Sequence, residues 1–314
     1  MTRWRGRVVA AVIAVAFATT GCVTTPPASG ASTAAGSPAA VTASPTGAPT
    51  AAATRTTSPT PDVGEPDLAG KFDVGGHSLY IECRGTDGPV MLLETGSGSP
   101  GATWLRSEFI TLLDDRYRRC IYDRTNLGQS DDAEGPRTSV TAARELHALL
   151  EAAELPGPYV LVGRSFGGYN VRLFTSMYPG DVSALVLVET LTPEFHAGME
   201  TLLDQVQWAS ETSFNTIVEY PLDIMASGPL VADAELPAVP LLVIAATESH
   251  TGDQTWPAGW PAAALNALWM DGQRALAASV PGGRLVVFEG SHHNLFFSEP
   301  RRLADEINAF LRAL

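Results

Sequence analysis

"LVGRSFGGYN", residues 161–170, runs from an apolar segment into a serine with a glycine two positions to either side, then into a helical pattern. G-x-S-x-G is short enough to arise by chance, so its meaning depends on what surrounds it. Upstream, "YVLVG" (159–163) is a short, continuous apolar run, the pattern of a buried strand. Downstream, "YNVRLFTSMYP" (169–179) spaces its apolar residues as a helix does and closes at Pro179 and Gly180. A strand that turns straight into a helix strains the residue at the turn, and side chains two positions away would collide there. Gly163 and Gly167 are therefore sterically required, and Ser165 becomes a candidate nucleophile. The positive end of the following helix points at the same place.

Working outward, short apolar runs alternate with helical patterns. "HSLYIECR" (77–84) alternates as a half-exposed strand, and "PVMLLET" (89–95), "RRCIYDR" (118–124), "VSALVLVE" (182–189), "PLLVIAA" (240–246) and "RLVVFEG" (284–290) read as further strands. "SVTAARELHALLEAAEL" (139–155), with a Ser or Thr cap, and the terminal "EPRRLADEINAFLRAL" (299–314) read as helices. Early hairpin strands followed by continuous apolar strands between helices predict an α/β sandwich, a mostly parallel sheet covered by helices on both faces. The roughly 50 residues between the strands ending near Glu189 and starting near Pro240 exceed an ordinary connection. They contain Phe195, Trp208, Phe214 and Tyr220 and predict a small helical cap over about 190–239.

The amino-terminal region has a different character. Arg3, Arg5 and Arg7 precede an apolar run from Val8 to Phe17 and then "ATTGC", the pattern of a secretory signal. Residues 1–21 resemble a bacterial lipoprotein signal peptide, with Cys22 as the lipidated residue, although Thr19 stands where leucine is usual. Residues 22–66 are almost wholly Ala, Thr, Pro, Ser and Gly and read as a disordered tether, leaving 67–314 as one folded domain. This organisation predicts an exported protein held on the outer face of the membrane by lipid, or secreted where the anchor is absent. The net charge of −14, with no basic stripe outside the signal, argues against a nucleic-acid partner. Neither a metal nor a cofactor is expected, because no histidine–carboxylate cluster has ligand spacing and no dinucleotide-type glycine loop follows a strand.

A serine hydroxyl needs a base to take its proton. Of the six histidines, His77 and His147 fall in expected strand and helix, and His196 and His250 in cap-side loops. His292 and His293, in "EGSHHNLFFSEP" (289–300), follow the last strand, from which a loop can reach Ser165. Together with "YDRTNLGQSD" (122–131) and "GRSFGG" (163–168), this ending resembles the α/β-hydrolase fold family, in its secreted esterase-like members, over most of residues 70–314. In the second of these motifs Asn126 replaces a usual glycine, a mild departure because Asn tolerates left-handed backbone.

The resemblance implies a three-layer α/β/α sandwich with a mostly parallel eight-stranded sheet, and a Ser165–His293–acid triad with the roles of His292 and His293 open to exchange. The acid is Glu189 if it follows the strand at 182–189, with Glu248 the alternative and Asp253 third. It also implies an oxyanion hole from the amides of Phe166 and of Ser97 in "ETGSGSPG" (94–101). In this architecture the strands carrying Cys83 and Cys120 are neighbours, which implies a disulfide between them. The expected activity is hydrolysis of a small ester or acyl substrate by a monomeric serine hydrolase. A thioesterase, an aminopeptidase or a non-catalytic binding protein on the same fold remain the alternatives.

Overall fold

The computed structural model describes residues 61–85, 88–249 and 259–314. The signal segment, Cys22 and most of the tether lie outside the described residues, as do His250 and Asp253.

Eight strands form one sheet: β1 (Leu68–Asp73), β2 (Ser78–Arg84), β3 (Val90–Glu94), β4 (Arg118–Tyr122), β5 (Tyr159–Arg164), β6 (Val182–Val188), β7 (Leu241–Ala246) and β8 (Arg284–Phe288). Their spatial order is β1-β2-β4-β3-β5-β6-β7-β8. β2 is antiparallel to both of its neighbours, and every pair from β4 to β8 is parallel. The helices among the described residues are α1 (Phe109–Leu112), α2 (Ser139–Ala152), α3 (Gly167–Met177), α4 (Pro193–Leu202), α5 (Gln205–Ile217), α6 (Ile224–Ala232), α7 (Ala262–Ala278), α8 (Leu295–Ser298) and α9 (Pro300–Arg312).

The apolar strand runs are continuous because the sheet is covered on both faces. Along β5, Tyr159 and Leu161 pack with α2 and α3, while Val160 and Val162 pack with Trp104, α1 and α9. The period-2 alternation of side chains therefore feeds two cores from one strand.

From β3 the chain passes to β4 on one side and then, through α2, to β5 on the other side of β3. The order reverses there. In open parallel sheets the carboxyl ends of the strands at such a point border the binding crevice, and here those strands end in Glu94 and Arg164.

Three helices, α4 to α6, occupy the long segment between β6 and β7. A 17-residue helix, α7, precedes β8, where the sequence analysis identifies no element. His77 sits in the turn before β2 rather than in the strand, and the Thr138 cap position of α2 has no side-chain capping bond. Cys83 and Cys120 are directly opposed between β2 and β4, with Cα atoms 4.0 Å apart and their sulfurs bonded.

Candidate active site

The elbow is built by close packing. β5 ends at Arg164, α3 begins at Gly167, and Ser165 between them has φ 53°, left-handed backbone for a residue with a side chain. A Cβ on Gly163 would lie 2.5 Å from Val171 Cγ2, and one on Gly167 2.4 Å from the Thr95 carbonyl oxygen. No larger residue fits either position without displacing its surroundings. Such backbone costs about 1–3 kcal/mol and persists where neighbours over-determine it. Here the Ser165 amide donates to Val188 O at 3.2 Å. Its carbonyl accepts from the Leu191 amide and from Thr190 Oγ1, each at 3.1 Å. The segment just after β6 therefore clamps the backbone of Ser165.

That segment begins with Glu189, itself left-handed at φ 48° and fully buried. One carboxylate oxygen, Oε2, accepts from His293 Nδ1 at 3.0 Å and from Ser249 Oγ. The other, Oε1, accepts from the Ala246 amide at 2.5 Å and from Trp269 Nε1 at 3.3 Å. An acceptor at Nδ1 keeps the proton on that nitrogen and leaves Nε2 with a free lone pair. Burial holds the His293 pKa below the ordinary imidazole value; Glu189 opposes this, and the Arg164 charge adds to it. The ring is thus neutral near pH 7, the state a general base needs.

Ser165 and His293 line one cavity of about 620 Å³. They are not hydrogen-bonded to each other, and catalytic hydrogen bonds of this type often tighten only with substrate in place. Ser97 and Phe166 line the same cavity, and among the described residues neither amide donates to a protein acceptor. Both are free for an incoming oxygen.

The loop carrying Ser97 is held from beneath by a buried cation. Arg124 Nη2 donates to the Gly96 carbonyl at 2.8 Å and Nη1 to the Thr95 carbonyl at 3.0 Å. The same guanidinium pairs with Glu94 at 2.7 Å and Glu219 at 2.5 Å. Glu219, from the turn between α5 and α6, also accepts from the Gly98 amide at 2.7 Å. Burial alone would lower the Arg124 pKa, but the two carboxylates outweigh it and raise it further. Asn126, at φ 68°, adopts the left-handed conformation its motif position requires.

The structure therefore brings Ser165, His293, Ser97 and Phe166 to one cavity, with Glu189 buried behind His293. It does not pair Glu248 with His293: Glu248 lies in the turn after β7, where its backbone carbonyl, not its carboxylate, meets His292 Nδ1 at 3.1 Å. His292 is correspondingly engaged away from Glu189. His196 is not in a loop; it is buried in α4 on the cavity wall, where burial drops its pKa to about 4. Ser249, Trp269 and Glu219 escaped sequence reading because no local pattern marks a residue whose partner is far along the chain. Among the described residues no group of three His, Cys, Asp or Glu side chains could hold a metal.

Residues 88–222 match the family model for the alpha/beta hydrolase fold, and the sheet order, elbow and histidine loop are those of that fold. This chain has the α/β-hydrolase fold. The chain is 33% identical over 131 residues to efuK of Hormonema carpetanum, named as a transporter, covering 39% of the chain and 18% of that protein. It is 30% identical over 148 residues to RutD of Escherichia coli O150:H5, named as a carbamate hydrolase, covering 45% of the chain and 54% of RutD. The matched stretch thus spans less than two thirds of either relative's length. Among solved structures, the malate-bound thermophilic esterase of Thermogutta terrifontis superposes with a TM-score of 0.55 at 21% identity, covering 78% of the chain and 98% of the esterase.

Proposed function

We propose that the hydrolase cleaves carboxylic esters through an acyl-enzyme on Ser165. His293 Nε2 takes the Ser165 proton as Oγ attacks the ester carbonyl, and the tetrahedral oxyanion is held by the Ser97 and Phe166 amides. The imidazolium, stabilised by Glu189, passes its proton to the leaving alcohol. Water activated by the same nitrogen then releases the acid and restores Ser165. The observation that carries this reading is the His293–Glu189 pair at 3.0 Å, sharing a cavity with a left-handed serine.

The test is hydrolysis of p-nitrophenyl esters of increasing chain length by the protein and by Ser165→Ala. Turnover by the former and its loss in the latter is the expected result. A folded protein that turns over no ester would favour a binding role. We further propose export and lipid attachment at Cys22, which the composition of residues 1–66 supports; a Cys22→Ala chain that stays in the membrane fraction would count against the anchor.

A further inference from the structure

The residue before the nucleophile has no role in the scheme above. Arg164 is buried, only 9% exposed, and lines the catalytic cavity. Among the described residues its guanidinium forms no ion pair. Its Nη2 donates to the neutral amide oxygen of Asn294, its Nε is buried without an acceptor, and its face lies 5.0 Å from the Phe296 ring centroid. Arg124, the other buried guanidinium of this region, is by contrast surrounded by two carboxylates and two carbonyls.

Position makes the difference useful. A Cβ on Gly96 would lie 3.0 Å from Arg164 Nη1 and 3.5 Å from Ser165 Oγ. The cation and the attacking oxygen therefore abut the same glycine, beside the loop that carries the Ser97 amide. A guanidinium offers a planar fork of donors matched to a carboxylate, and a buried one without a partner is costly. Glu189, the carboxylate whose charge acts on it, is already engaged by His293 and three other donors. Glu211, on the cavity wall, is bound to Asn215, and burial raises its pKa, which weakens its competition for the cation.

We propose that Arg164 is an anion-recognition residue, and that the preferred substrates are esters bearing a carboxylate a short spacer from the scissile carbonyl. This rests on the ester-hydrolase reading and names its substrate class. The carboxylate replaces the missing partner of Arg164 and so places the carbonyl between Ser165 Oγ and the oxyanion amides. In a chain of net charge −14, such a site must draw its selectivity from a local cation.

The experiment compares kcat/KM within two matched pairs. Monoethyl succinate against ethyl valerate places the charge on the acyl side; O-acetylglycolate against propyl acetate places it on the alcohol side. A preference of about tenfold or more for the charged member of at least one pair is expected. The readout in variants is the ratio, not the rate. Arg164→Gln should collapse it, and Arg164→Lys, which keeps the charge without the fork, should retain part of it. A residue that only supports the histidine loop through Asn294 would slow both members of a pair alike and leave the ratio intact.

Should Arg164→Gln not fold, inhibition of ethyl valerate hydrolysis by succinate against succinamide gives the same answer on the unaltered protein. Succinate alone should compete. Equal use of charged and neutral esters, an unchanged ratio in Arg164→Gln, or equal inhibition by succinamide would overturn the proposal. Those outcomes leave neutral-ester turnover intact and so differ from failure of the ester-hydrolase reading, in which no ester is cleaved.

Discussion

Glu189 and the Glu94–Glu219 pair are buried carboxylate systems a few residues apart in space from the same elbow, and they differ in the cation they hold. Glu94 and Glu219 bind Arg124, which stays charged at any pH the fold survives, and the network also fastens the backbone of residues 95–98. Glu189 binds His293, whose charge can change within a catalytic cycle. The remaining donors on Glu189, from Ala246, Ser249 and Trp269, fix the carboxylate while leaving the imidazole free to gain and lose a proton. The same physical device, a desolvated carboxylate with satisfied lone pairs, thus serves rigidity in one place and, in the proposed reaction, proton transfer in the other. The partner decides which.

The comparison breaks most sharply at Glu189. Glu189→Gln puts an amide where Nδ1–H needs an acceptor and favours the wrong imidazole tautomer. A fall in kcat on the order of 10⁴-fold is expected, with the protein still folded; full activity would retire Glu189 as the acid. Arg124→Met should do the opposite, leaving two buried carboxylates uncompensated and costing about 3–5 kcal/mol in urea unfolding. A variant as stable as the parent would show that the network is not what holds that loop. The Cys83–Cys120 link ties β2 to β4 beneath it, closing a sequence separation of 37. Replacing both cysteines by serine should cost about 2–4 kcal/mol, and two alkylatable thiols in the unreduced protein would remove the link from the account.

The smallest effect sharpens the contrast through pH. The His293 pKa is lowered from 6.5 by burial, and the base acts in its neutral form. Activity should therefore persist as pH falls through 6.5 and decline only below it, which the acid limb of kcat/KM against pH will show. An acid limb above 6.5 would mean that the Glu189 charge dominates over burial.

How much of this could be read in advance follows from the range of each interaction. Gly163, Gly167 and Ser165 were legible because the steric demand of a strand–turn–helix acts over five consecutive residues. The two cores were legible from the continuous apolar strands, and Asn126 from its motif. The sequence leaves the acid open between Glu189 and Glu248 because both follow parallel strands. Only the left-handed turn at Glu189 and the course of the β8 loop bring one of them to His293. Helix α7 went unassigned although "AAALNALWMDGQRALAA" (262–278) has helical spacing, and with it went Trp269, whose indole reaches Glu189. His196 and Arg164 were illegible for a simpler reason: a polar side chain shows no sign in sequence of being buried.

The most direct test of the central claim is covalent. The protein is treated with a fluorophosphonate and its intact mass and labelled peptide are determined, alongside Ser165→Ala. The account predicts one adduct, on Ser165, absent from the alanine variant. A folded protein that takes up no label, or a label that persists on another residue in Ser165→Ala, would contradict it.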